Sequence, residues 1–99
     1  MEGEAASRVR REVRLPAGEA CGLGALATAM EPALLAAAGP KTTCVSVSLE
    51  FARTPQAGAV VQVEAWVERA TRTLVFAAAE AHADGERAGS ASAIFSRGP

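Results

Sequence analysis

Cysteine and histidine are scarce in this chain. Its 99 residues hold two cysteines, Cys21 and Cys44, and one histidine, His82. Neither number nor spacing suits a disulfide framework or a structural zinc site, so the cysteines read as reduced thiols. An excess of one charge is also missing. With 10 basic and 11 acidic residues the net charge is −1, which excludes a broad nucleic-acid footprint or an anionic-membrane sensor and leaves room only for a local basic cluster. No apolar run approaches the ~20 residues of a membrane span, and the opening MEGEAASRVRR lacks the apolar core of a signal peptide. The expectation is a soluble, cytoplasmic protein with no nucleic-acid or membrane partner.

What is present is apolar. Hydrophobic residues make up 49% of the chain, enough for one small domain over residues 1–99, with residues 1–7 frayed. A domain of this size buries only about two thirds of its unfolded surface, so association would help it. The stretch Cys21 to Pro40, CGLGALATAMEPALLAAAGP, carries apolar residues at Leu23, Leu26, Ala27, Met30, Leu34 and Ala37, the one-faced spacing of a helix packed on something larger. Gly39 and Pro40 supply a helix stop. About 16 residues, roughly 24 Å, are expected to be helical.

The only acid in that stretch is Glu31. It follows Gly24 by seven residues and so shares a helix face with it, about two turns on. Pro32 comes next and removes the amide that would bond the Thr28 carbonyl, so a kink or a break is expected there. Spacing alone leaves two readings of Glu31: an exposed cap before a proline-initiated second segment, Pro32 to Ala38, or a functional acid beside the apolar stripe.

Around the helix the period changes to two. RVRREVRL places Val9, Val13 and Leu15 on one side of a first strand. In KTTCVSVSLEFAR, Lys41 to Arg53, a core face of Thr43, Val45, Val47, Leu49 and Phe51 is expected, with Thr42, Cys44, Ser46, Ser48, Glu50 and Ala52 on a polar face. TPQAG is a turn by composition. Strands follow over Ala59 to Arg69, with Val61, Val63, Ala65 and Val67 on one side, and over Arg72 to His82, joined through Ala70 and Thr71. Asp84-Gly85 supplies a type I′ turn into a last strand, Glu86 to Ser96. Strand, helix and four more strands, with nothing to cover the second sheet face, make an α+β architecture: one long helix wrapped by a curved antiparallel sheet of about five strands. Its long edges call for a partner, most simply a dimer that continues the sheet.

Two segments resemble the hotdog-fold acyl-CoA thioesterases, in particular the phenylacetate-pathway and 4-hydroxybenzoyl-CoA branches. GALATAMEPAL, Gly24 to Leu34, is similar to the family segment in which His-Gly-Gly opens the helix and an Asp or Glu follows seven residues after the second glycine; Gly24 matches that glycine and Glu31 the acid. VSLEFARTPQAGAVVQVEAWV, Val47 to Val67, resembles the family's aromatic-x-Arg-Pro-x-x-x-Gly strand-turn-strand, with the proline one place late at Pro55. The resemblance spans Val9 to Ser96. The chain departs from the pattern in having Gly22-Leu23-Gly24 for His-Gly-Gly and no upstream asparagine.

The resemblance implies hydrolysis of an acyl- or aryl-CoA thioester in a homodimer or homotetramer. The thioester carbonyl would meet the helix N-terminal amides of Leu23 or Gly24, which serve as an oxyanion hole, while Glu31 from the facing subunit acts as general base or nucleophile. Cys44 and Ser46 fall near positions where the family can place a hydroxyl beside the acid, and Arg53, Arg69 and Arg72 are candidates for the CoA phosphates. Exposed solubilising arginines are an equal reading of the last three. Val60, Trp66, Leu74 and Phe76 read as core or subunit interface, and His82 is assigned no catalytic role. No metal or cofactor is implied. The alternative, given the missing histidine, is a non-catalytic module that binds an acyl-CoA or another apolar small molecule.

Overall fold

Turn chemistry and side-chain period place the elements where the chain forms them. A computed structural model describes residues 8–15, 23–56 and 58–97. Their order is β1 (Val9–Arg14), α1 (Leu23–Ala38), β2 (Thr42–Phe51), β3 (Val60–Ala70), β4 (Leu74–Ala83) and β5 (Glu86–Arg97). The five strands form one antiparallel sheet in the order β1-β3-β4-β5-β2, with α1 packed on one face. This is the expected α+β arrangement. The expected fraying of residues 1–7, and the expectations for Cys21 and Gly22, lie outside the described residues.

The turns are held by the residues that suit them. Asp84 and Gly85 both have positive φ, 55° and 78°, as a type I′ hairpin demands. Gly39, at φ 97°, takes the left-handed position past the helix end, where its amide donates to the Leu35 carbonyl at 3.0 Å. Thr71 closes the β3–β4 connection: its Oγ1 accepts from the Leu74 amide at 3.0 Å, and its own amide donates to the Leu74 carbonyl at 2.7 Å.

Pro32 does not break α1, which runs unbroken for 16 residues. A proline inside a helix costs about 3 kcal/mol locally. Packing offsets it, because Leu26, Met30 and Ala33 are fully buried and Leu34 and Ala29 nearly so, and each large buried side chain contributes about 1.5–3 kcal/mol. These residues lie on a floor of small ones, Ala77, Ala79, Ala81, Ala91 and Ala93, with Val61, Val63, Val75 and Phe95 around them. The bulk on the helix is matched by small residues on the sheet.

The expectation for β2 is corrected in two respects. Of its expected core face only Phe51 packs, half-buried, against the core: Val45 is 58% exposed, Val47 52% and Leu49 39%, because β2 is the last strand of the sheet and α1 lies nearer β3 and β4. Its faces also change over along its length. Cys44 pairs with Phe95 but Ser46 pairs with Ile94, so Val45 is an extra residue in a bulge. Pairs directly opposite share a face. Cys44 therefore points to the helix side with Val47, Leu49 and Phe51, while Ser46, Ser48 and Glu50 point to the other.

Strand β1, on the opposite edge, pairs with β3 from Val9↔Ala65 to Arg14↔Val60. Arg8 Nη1 and Arg10 Nε reach Glu64 Oε2 at 3.0 and 3.1 Å, and the Arg8 guanidinium stacks 4.6 Å from the centre of the Trp66 ring. Partial burial works to raise the Glu64 pKa, but hydrogen bonding and charge from Arg8, and then from Arg10, outweigh it and hold the carboxyl below its ordinary value.

Two predictions follow from this packing. At Gly89 an added Cβ would lie 3.0 Å from the Glu50 carbonyl oxygen and 3.1 Å from Leu26 Cδ2, so Gly89→Ala should cost about 1–3 kcal/mol in denaturant unfolding. Glu64→Gln should cost up to about 1 kcal/mol at pH 7, since the ion pairs are solvent-screened. A carboxyl whose pKa falls on folding contributes stability above its unfolded pKa, about 4.3, and loses it as pH drops through the folded value. The difference between wild type and Glu64→Gln should therefore shrink below about pH 4.

Candidate functional site

Helix α1 and strand β2 splay apart along the uncovered edge of the sheet and leave a cavity of about 240 Å³ between them. Met30, Leu34, Phe95 and Ala93 form its floor, Val47 and Leu49 its outer wall, and Leu35 stands at its rim, 42% exposed. Three residues give it polar character: Thr28 and Glu31 from the helix and Cys44 from the strand. The bulge at Val45 is what brings Cys44 here, and the Cys44 thiol donates to the Ser46 carbonyl across it at 3.5 Å.

Glu31 is exposed on the helix, one turn after Thr28. Among the described residues it has neither an ion-pair partner nor a hydrogen-bond partner. Its carboxylate thus has both oxygens available at the mouth of an apolar cleft. That arrangement suits a general base, which needs free lone pairs within reach of a bound electrophile.

The other residues singled out from the sequence are scattered. Leu23 and Gly24 open the helix, and Gly24 is exposed with nothing within 4 Å of where a Cβ would stand. At 1.5 Å per residue, seven residues put Gly24 about 10.5 Å from Glu31 along the axis, too far for one helix to serve both ends of a carbonyl. Ser46 faces away from the cavity, beside Glu68, Phe76 and Ile94. Arg53, beyond the end of β2, is paired with Glu86. Arg69 stacks on Phe76, 4.5 Å from its ring centre, and Arg72 lies exposed in the β3–β4 connection. That connection sits at the Thr42 end of β2, where Arg97 donates to the Thr71 carbonyl at 2.8 Å, so Arg53 and the Arg69–Arg72 pair occupy opposite ends of the sheet. Trp66, Leu74 and Phe76 lie half-buried on the face away from α1.

The cavity-lining residues Thr28, Leu35, Val47 and Leu49 were not singled out as site residues from the sequence. One signal was present: Leu34 and Leu35 together make the apolar stripe wider than one sheet contact needs. Among the described residues no three His, Cys, Asp or Glu side chains converge as a metal site, and no helix is long and apolar enough to cross a membrane.

Residues 18–96 match the acyl-CoA thioesterase N-terminal domain family. The chain belongs to that family. Solved structures agree in fold. The Escherichia coli PaaI protein of the phenylacetic acid degradation operon superposes with a TM-score of 0.85 at 15% identity, over 94% of this chain and 74% of that one. An acyl-CoA hydrolase from Staphylococcus aureus, solved with butyryl coenzyme A, coenzyme A and coenzyme A disulfide, gives 0.83 at 14% identity, over 95% and 65%. Zebra fish thioesterase superfamily member 2 gives 0.79 at 18%, over 92% and 75%. Identities this low speak to the fold alone, which is the hotdog fold. No curated protein sequence matches the chain. Family and fold together make this a thioesterase domain acting on acyl-CoA thioesters.

Proposed function

We propose that the chain, as one domain in a homodimer, hydrolyses an acyl-CoA thioester to the free acid and CoA with Glu31 as general base. The observation that carries this reading is the Glu31 carboxylate, without a partner among the described residues, at the mouth of the cavity between α1 and β2. The apolar floor takes the acyl chain. Water attacks the thioester carbon as Glu31 accepts its proton, and the departing CoA thiolate takes that proton from Glu31 when the tetrahedral intermediate collapses.

A second copy completes the site. The developing oxyanion needs donors, and the Leu23 and Gly24 amides at the positive end of α1 supply them, yet they lie about 10.5 Å from Glu31 in the same helix. Self-pairing of β2 across a two-fold axis is necessarily antiparallel and isologous, and it turns the two helices so that the start of one approaches the later turns of the other. The same pairing satisfies the open edge of a ten-residue strand and covers Val45, Val47, Leu49 and Leu35. The open space at Gly24 is then where the substrate carbonyl comes close. For the CoA phosphates, Arg72 is the candidate that has no partner among the described residues, since Arg53 is engaged by Glu86 and Arg69 by Phe76. Cytoplasmic residence fits an intracellular CoA ester as substrate.

Thiol release from a panel of short, medium, long-chain and aryl CoA esters tests the reading, with the reaction of exposed Cys44 subtracted. Glu31→Gln and Glu31→Ala should lower kcat by about 10²–10⁴ without shifting Tm, because the side chain has no hydrogen-bond or ion-pair partner among the described residues. Full turnover in both variants, or CoA-ester binding by calorimetry with no thiol release from wild type, would sink it. Val47→Asp should sediment as a monomer and lose turnover. Gly24→Ala should keep or raise Tm, as the helix gains up to about 1 kcal/mol, while kcat falls at least about tenfold.

A further inference from the structure

Pro32 lies inside α1 with helix on both sides. Proline has no N–H, so the Thr28 carbonyl, four residues earlier, is left without its helical donor. Thr28, Glu31 and Pro32 are all exposed, and Thr28 and Glu31 line the same cavity. Side chains on a helix lean toward its N-terminus, which carries the Glu31 carboxylate back over the Thr28 turn. One carboxylate and one carbonyl without its i+4 amide donor thus neighbour each other at the cavity mouth. Two acceptors are what orients a water molecule: it donates one hydrogen to each, and its lone pairs point away from both.

We propose that the Thr28 carbonyl, freed by Pro32, positions the hydrolytic water beside Glu31. The inference rests on Glu31 being the base. The water gives one hydrogen bond to the Glu31 carboxylate and one to the Thr28 carbonyl, leaving its lone pair aimed at the thioester carbon. As the new C–O bond forms, the first proton passes to Glu31 and the carbonyl electron pair moves onto the substrate oxygen. Collapse reforms that C=O, breaks the C–S bond, and the thiolate takes the proton from Glu31. Thioester and water become acid and thiol. The Thr28 carbonyl exchanges no proton and is a positioning group. This accounts for an exposed proline held in a helix at a local cost with no packing role of its own.

Pro32→Ala restores the amide that would reclaim the Thr28 carbonyl. It should raise Tm by about 5 °C or more, leave KM within about twofold and lower kcat about tenfold or more. Pro32→Val restores the same amide with a side chain closer to proline in size and should lower kcat alike. A stabilised Pro32→Ala enzyme with wild-type kcat overturns the proposal, as does a loss that appears with alanine but not with valine, which would assign the effect to the ring. The two levels separate cleanly. Inactive Glu31→Gln beside fully active Pro32→Ala removes only the water-positioning step; fully active Glu31→Gln, or a wild type that releases no thiol, removes the base and this step with it.

Discussion

An α-helix is about 10 Å across, and five strands at about 4.8 Å spacing span roughly 20 Å, so one helix cannot cover this sheet. Much else in the molecule depends on that mismatch. α1 settles over the side nearer β3 and β4, where Leu26 and Met30 sink onto a surface of alanines. Those small residues let the helix approach closely and make a core out of few large side chains. The far side of the sheet is left bare. There β2 exposes valines and a leucine, and the gap between it and α1 becomes a cleft. The candidate site is the space that one helix leaves uncovered.

The proposed subunit contact answers the same constraint. An uncovered apolar strand with unpaired backbone groups is a liability for a chain alone, and a second copy removes it while bringing a second helix over the first. In the proposed dimer, the amides at one helix start and Glu31 two turns along the other helix would meet in a single reaction centre. Stability of the proposed pair and completion of its chemistry would then draw on one surface.

Local rules are broken around the candidate site. Pro32 interrupts the hydrogen-bond ladder on the exposed side of α1, while Leu26, Met30 and Leu34 hold the other side against the sheet. The strand opposite carries a bulge at Val45 that turns Cys44 inward. Natural folds concentrate such departures at functional sites and compensate for them elsewhere. Here the compensation is the buried face of the helix.

Much of this could be read from the residues. The 3.6-residue stripe and the Gly39-Pro40 stop bounded the helix, Asp84-Gly85 defined a hairpin, and the resemblance of Gly24 to Leu34 to the thioesterase helix segment singled out Glu31, the acid that lines the cleft. These are local properties: side-chain period, turn conformation and helix pitch depend on neighbours a few residues away. What could not be read was pairing. Whether Val45, Val47 and Leu49 meet a helix or solvent depends on β2 lying beside β5 at the edge, more than 40 residues along the chain. Whether Cys44 or Ser46 faces the cleft depends on one bulged residue in that pairing, and side chains alternate at every step, so a single extra residue reverses the assignment. The sequence by itself determined the elements, their order and the acid on the helix; the tertiary structure decided which strand stays open and which side chains meet that acid, because both follow from contacts between distant segments competing for one helix face.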